Sequence, residues 1–331
     1  MNNINSWLKC GYVDETIDKD MDLKHEINRL KADKNAVIMA HYYQKNEIQD
    51  IADFVGDSLA LAQLAAKTKA DIILLSGVHF MGETAKIISP KKKVLVPDLN
   101  AGCSLADSCP PDEFKEFVDK HPDHTVITYV NTTVEIKALS DIVVTSTNAK
   151  QIVNSLPKDE KIIFGPDRNL GNYLNSITGR SMVLWDGACH VHEKFSVEKI
   201  VELKDKNPDA KVIAHPECKK PLLLLADHIG STASLLKYTN ESNYSKFIVA
   251  TESGILHQME LANPDKTFIP APPNDSTCAC NDCEYMKLNT LEKIYNCLKF
   301  EWPEIVIDDG MLKKALVPIE KMLELSNKIG L

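Results

Sequence analysis

The chain carries nine cysteines. Cys103 lies in Ala-Gly-Cys-Ser and Cys189 in Asp-Gly-Ala-Cys-His, each in a loop-like segment after an apolar run. Cys278, Cys280 and Cys283 crowd a third such segment. Single thiols offered from separate loops suit a metal group held between units. Three thiolates can hold a [4Fe–4S] cluster and leave its fourth iron without a protein ligand. Such an iron acts as a Lewis acid on a hydroxyl or carboxylate. A fourth thiolate would close the site for structure or electron transfer. Cys-x-Cys-x2-Cys also fits zinc with one further ligand, so the metal stays open at this point. Cys10, Cys218 and Cys297 read as ordinary thiols.

A second set of polar residues recurs at fixed spacing. AVIMAHYYQ, TVITYVNTT and KVIAHPECK each begin as a Val-Ile strand and end in His41 and Tyr43, Tyr129 and Asn131, or His215 and Glu217. Fifteen residues after Tyr43, Asn131 and Glu217 come Ser58, Ser146 and Thr232, each expected to open an apolar helix. A hydroxyl and unpaired N–H groups at a helix start bind carboxylate or phosphate, although Ser and Thr there, Ser231 included, also serve as plain N-caps. Glu217, between His215 and Cys218, is a candidate general base.

These groups must be positioned by strands and helices in alternation. Strands are expected at Ala36–Ala40, Ile72–Ser76, Val94–Val96, Val126–Val130, Ile142–Val144, Ile162–Gly165, Met182–Trp185, Val212–Ala214, Phe247–Thr251 and Phe268–Pro270. Helical spacing marks Ser58–Thr68 and Ser231–Tyr238. The pattern predicts α/β with parallel sheets covered on both faces. His41 to Tyr129 spans 88 residues and Tyr129 to His215 spans 86, so three similar αβα units follow, set in a pseudo-three-fold arrangement around one central site. The expected division is a helical lead over 1–35, units over 36–107, 108–193 and 194–300, and a C-terminal helical segment over 301–331. The last helix is expected over 310–331 with Pro318 in its first turn.

With 331 residues and an ordinary apolar content, the chain can bury more than one core. A net charge of −9 disfavours nucleic-acid and anionic-membrane partners. No run approaches the roughly 20 apolar residues of a membrane span. The N-terminus lacks the pattern of a secretory signal, so a cytoplasmic location with reduced thiols is expected. Dinucleotide, Walker, zinc-protease, serine-hydrolase and Cys-x3-Cys-x2-Cys radical-cluster motifs are absent from the sequence.

The motifs together resemble the quinolinate synthase family, the A-type enzymes of NAD biosynthesis. They are AHYYQ at 40–44, DFVGDSLALA at 53–62, AGCSLAD at 101–107, TYVNTT at 128–133, TSTNA at 145–149, WDGACHVHE at 185–193, AHPEC at 214–218, GSTA at 230–233, ATESGILH at 250–257 and CEYMKLNTLEK at 283–293. The resemblance implies three α/β domains around one [4Fe–4S] cluster per chain. It implies condensation of iminosuccinate with dihydroxyacetone phosphate to quinolinate, phosphate and two waters. Cluster ligands carry over to Cys103, Cys189 and Cys283. The repeat spacing alone favours Cys278 for the third, but the family's Cys-x2-Met pattern falls on Cys283 and Met286. Substrate contacts carry over to His41, Ser58, Tyr129, Asn131, Ser146, His215, Glu217 and Thr232, and Tyr43 matches a catalytic position. Glu217, with His215, Tyr43 and Tyr129, would move protons. An aspartate oxidase or dehydrogenase would supply the iminosuccinate. The competing readings are another [4Fe–4S] hydro-lyase acting on a hydroxy acid, and a non-enzymatic zinc- or cluster-binding protein.

Overall fold

The computed structural model describes residues 4–274 and 281–331. Its strands form three separate four-stranded sheets, all parallel. The first contains β1 (Ala36–His41), β2 (Phe54–Gly56), β3 (Ile72–Ser76) and β4 (Lys93–Leu95) in the order β2-β1-β3-β4. The second contains β5 (Thr125–Tyr129), β6 (Ile142–Val144), β7 (Ile162–Gly165) and β8 (Val183–Leu184) in the order β6-β5-β7-β8. The third contains β9 (Lys211–Ala214), β10 (His228–Ile229), β11 (Lys246–Ala250) and β12 (Thr267–Pro270) in the order β10-β9-β11-β12. One topology is therefore repeated three times. The central strands are buried almost throughout, as parallel strands covered on both faces must be.

A shared aspartate pins each repeat. Asp53, Asp141 and Asp227 accept a hydrogen bond from the N–H of Ile38, Val126 and Val212 at 2.8, 2.8 and 2.9 Å. Each aspartate N–H in turn donates to the carbonyl of that same residue. The bonded pairs are all 15 residues apart, and they fix how the chain leaves the central strand and returns along its edge.

The helix Leu291–Phe300, which falls in the range 194–300 expected of the third unit, packs on the first sheet. Its Ile294, Tyr295, Cys297 and Leu298 join Ile27, Leu30, Ile38 and Leu74 in one buried cluster. Pro303 and Ile305 then pair with the β4 edge, where Val96 N donates to Pro303 O and Ile305 N to Val94 O. The last helix runs Asp309–Lys328, capped by Asp308, and Pro318 sits in its middle instead of its first turn. A mid-helix proline forfeits one backbone hydrogen bond. Burial of Leu312, Ala315, Ile319 and Met322 on both sides of Pro318 offsets that loss and carries the helix through. This helix packs on Val134–Ala138 and β6 of the second unit and on His79–Ile88 of the first. No helix among the described residues is long and apolar enough to cross a membrane.

Candidate active site

The carboxyl ends of β1, β5 and β9 converge on one cavity. It is lined by His41, Tyr43, Ser58, Tyr129, Asn131, Ser146, His215, Glu217 and Thr232, together with Cys103, Cys189 and Cys283. The structure thus gathers the twelve residues that the resemblance carries over. Cys278 and Cys280 lie outside the described residues.

Two of the three expected helix starts hold. Ser58 and Thr232 are the first residues of Ser58–Lys67 and Thr232–Glu241, behind the N-caps Asp57 and Ser231. Ser146 opens no helix, because the third helix begins at Ala149. Asn148 Oδ1 accepts from Thr145 N at 2.7 Å, and that bond folds 145–148 into a turn which holds the helix back. Ser146 still faces the cavity.

Glu217 sits at the centre, buried to 2% exposure. Tyr129 donates its hydroxyl to Glu217 Oε1 at 2.7 Å. His192 Nδ1 stands 3.0 Å from Oε2, and His215 Nδ1 stands 3.6 Å from Oε1. The His192 and His215 rings stack with centroids 4.8 Å apart. His192 Nε2 reaches Thr251 Oγ1 at 3.1 Å, Thr251 Oγ1 reaches the Tyr43 hydroxyl at 2.7 Å, and Tyr43 reaches Thr232 Oγ1 at 2.8 Å. Hydrogen bonds therefore run from His192 Nε2 to a helix start of the third unit, and His192 Nδ1 stands close to the carboxylate without a formed hydrogen bond. On the far side, His215 Nε2 lies 3.3 Å from Ser146 Oγ. Asn131 Oδ1 and Thr145 Oγ1 line the cavity, buried and with no protein partner among the described residues, so they remain free for a ligand.

The protonation states follow from burial and neighbours. Burial alone would raise the Glu217 carboxyl, but His192, His215 and the Tyr129 hydroxyl outweigh it and hold the group low, at about 2. Burial pulls His41 and His215 down to about 3, so both are neutral at pH 7. Burial, with nearby carboxylates, holds the Tyr43 and Tyr129 hydroxyls well above their usual value, and both stay protonated. Anions in this cavity thus meet neutral donors. The low histidines also make a pH prediction. Each binds a proton when unfolded below about 6.5 but not when folded until about 3, so acid favours the unfolded chain across that window. The urea midpoint should fall as pH drops below about 6.5, and His215→Gln should make the fall shallower. An unchanged slope in that variant would contradict the assignment.

The three thiols share one local design. Cys103 and Cys189 are the N-caps of the short helices Ser104–Asp107 and His190–Glu193, and Cys283 precedes a single 3-10 turn. Burial raises Cys103 to about 12, Cys283 to about 11 and Cys189 well above its usual value. Backbone N–H groups two or three residues on act against this in all three: Ala106 and Leu105, Met286 and Tyr285, and His192. The thiols are therefore protonated alone, with donors in place for thiolates once a bound cation supplies the charge. Their loops are held from outside. Asp167 accepts from Cys189 N at 3.2 Å, and Glu252 Oε1 accepts from Cys283 N at 3.1 Å and from Lys287 Nζ at 2.8 Å. Ser104 bonds His190, which ties the first two cysteine loops together. Donor atoms of Cys189, His192 and Glu217 lie within 4.8 Å of one another and could hold a metal ion.

Sequence reasoning missed His192, Thr251, Glu252 and Lys287. His192 had a signal, lying three residues after Cys189 in a histidine-rich motif. Thr251 and Glu252 had one too, as polar residues ending a third-unit strand.

A buried carboxylate among imidazoles and phenols, with a Cys189, His192 and Glu217 group that could hold a metal ion, defines an enzyme built on three repeated α/β sheets. A family model described as "Quinolinate synthetase A protein" matches residues 25–324. A quinolinate synthase of Microcystis aeruginosa is 58% identical over 305 residues, covering 92% of this chain and 95% of the relative. That of Synechocystis is 59% identical, covering 92% and 96%, and that of Chloroherpeton thalassium is 56% identical, covering 92% and 95%. The chain belongs to the quinolinate synthase family.

Proposed function

We propose that this chain condenses iminosuccinate with dihydroxyacetone phosphate, giving quinolinate for NAD biosynthesis, phosphate and two waters. The observation that carries this reading is the meeting of three thiols and nine polar side chains, drawn from three equivalent sheets, in one cavity. Cys103, Cys189 and Cys283 would hold one [4Fe–4S] cluster per chain. The donor set fits such a group. The thiols do not form a set gathered within 4.8 Å, as one small ion at a Zn–S distance of about 2.3 Å would require. When bound, the cluster supplies an iron with no protein ligand, a Lewis acid toward a hydroxyl or carboxylate oxygen.

The chain's own residues do the rest. Ser58, Thr232 and the N–H groups behind them bind carboxylate or phosphate, with Ser146 adding a third hydroxyl. Asn131 offers its unpartnered Oδ1 to a substrate donor. Glu217 takes the proton from the carbon that must become nucleophilic. Free, it is a weak base, but an anionic substrate beside it disfavours its charge and lifts it toward working pH. Tyr129 holds its Oε1, and the chain through His192 and Thr251 lets Tyr43 return a proton near Thr232. Neutral His215 orients Ser146 and Glu217 together.

We count 36–107, 108–193 and 194–290 as the three units, with 291–300 joined to the first. A cytoplasmic site, where thiols stay reduced, suits the seven free cysteines among the described residues. An aspartate oxidase or dehydrogenase would supply iminosuccinate there. A mononuclear ion on Cys189, His192 and Glu217 is the second reading, and the proximity of those donors is what favours it. Iron, acid-labile sulfide and zinc on anaerobically purified protein separate the two. About four iron and four sulfide per chain support the cluster. Zinc without sulfide after anaerobic reconstitution overturns it.

A further inference from the structure

One residue beside each of the three hydroxyls that face the cavity, a second polar side chain points to a common meeting place. Asp57 precedes Ser58, Thr147 follows Ser146, and Ser231 precedes Thr232. Asp57 caps its helix by accepting from Ala60 N at 2.9 Å, and Ser231 caps its own by accepting from Ser234 N at 3.3 Å. Thr147 caps nothing. Its Oγ1 lies 2.6 Å from Asp57 Oδ2 and 2.8 Å from Ser231 Oγ. A threonine hydroxyl has one proton, and a carboxylate can only accept. Thr147 Oγ1 is the donor toward both groups, and its single proton is shared between Asp57 Oδ2 and Ser231 Oγ. Ser231 Oγ thus accepts from Ser234 N–H and from Thr147, and Thr147 stands between the two helix caps. The partners are 90 and 84 residues apart and belong to the loops of three different sheets. Asp57 is itself buried, so the bond is shielded from water.

We propose that Thr147 is a positioning residue. It ties the start of helix Ser58–Lys67 to that of Thr232–Glu241, and so sets the spacing of Ser58, Ser146 and Thr232 for substrates bearing phosphate and carboxylate groups. This inference rests on the function proposed above. The three hydroxyls stand on separate units, so their separation would otherwise follow only from the packing between sheets. A tie made of protein groups alone fixes it before a ligand arrives, and preorganisation lowers the ordering cost of binding. The link touches none of the proton-moving groups, so its loss should weaken binding and spare the chemical step.

The test is a kinetic comparison on cluster-loaded enzyme. Thr147→Val removes the hydroxyl at nearly constant shape. It should raise KM for dihydroxyacetone phosphate about tenfold or more. Turnover at saturation should stay within about threefold, with iron and sulfide unchanged. Thr147→Ser should restore the wild-type KM. A wild-type KM in Thr147→Val overturns the inference alone, as does a Thr147→Ser enzyme impaired as much as the valine variant. A wild-type enzyme that makes no quinolinate overturns the underlying function, and the inference with it.

Discussion

Replacing Glu217 with Gln should lower turnover between about a hundredfold and ten-thousandfold, the range for losing a positioned acid–base group. The amide keeps the size of the carboxylate and still accepts the Tyr129 hydroxyl, so the buried cluster of side chains should hold its shape. What it loses is the capacity to take a proton. Glu217 is the group in the cavity that two imidazoles and a phenol together hold ionised, at about 2. Iron and sulfide should stay at wild-type levels, since none of the three thiols is touched. The comparison is quinolinate formed per cluster in the two proteins. Near-normal turnover in the variant would remove Glu217 as the base and shift that role to the His192–Thr251–Tyr43 chain.

Replacing Cys103 with Ala should abolish the cluster altogether. Burial raises each of the three thiols and at least one backbone N–H group acts against it, so all three are set up alike to become thiolates under a bound cation. Cys103 is the informative position because it lies outside the Cys189, His192 and Glu217 group. The cluster reading predicts that Cys103→Ala and Cys189→Ala both lose iron, sulfide and the visible absorption of the cluster. A mononuclear ion predicts that Cys103→Ala keeps its metal while Cys189→Ala loses it. Cys10→Ala serves as the control and should keep the wild-type content, since its thiol bonds to the nearby carbonyls of Trp7 and Tyr12 and does not line the cavity.

The strands were legible where the core demanded runs of β-branched residues. Ten strands fall at or within a residue of their expected bounds, and Ile72–Ser76, Ile142–Val144 and Ile162–Gly165 coincide. The edge strands β2 and β10 escaped, because Phe54-Val-Gly56 and His228-Ile229 are too short to show a period. They were recoverable from the repeat. Asp53, Asp141 and Asp227 keep the 88- and 86-residue spacing of the strand ends, and each marks an edge strand one residue on. Pro318 was misplaced because proline's local preference yields to the packing of an apolar face. Ser146 was misread as a helix start because a side-chain bond from Asn148 delays the helix, and propensity does not register such a bond.

The site was legible in its residues more than in its wiring. Strand ends in a parallel sheet face the ligand side, so polar residues there were informative before any side chain was placed. The partners His192 and Thr251 come from other loops, and only the packing of three units shows that they bridge Glu217 to Tyr43. Asp57, Thr147 and Ser231 read as routine polar neighbours until the three loops are brought together.

The central claim is tested most directly by product formation. Anaerobically prepared, cluster-loaded protein would be given dihydroxyacetone phosphate and iminosuccinate generated in the same vessel. The account predicts quinolinate and inorganic phosphate in equal amounts, both lost in Cys103→Ala. Fully loaded wild-type protein that releases neither from these substrates would contradict it.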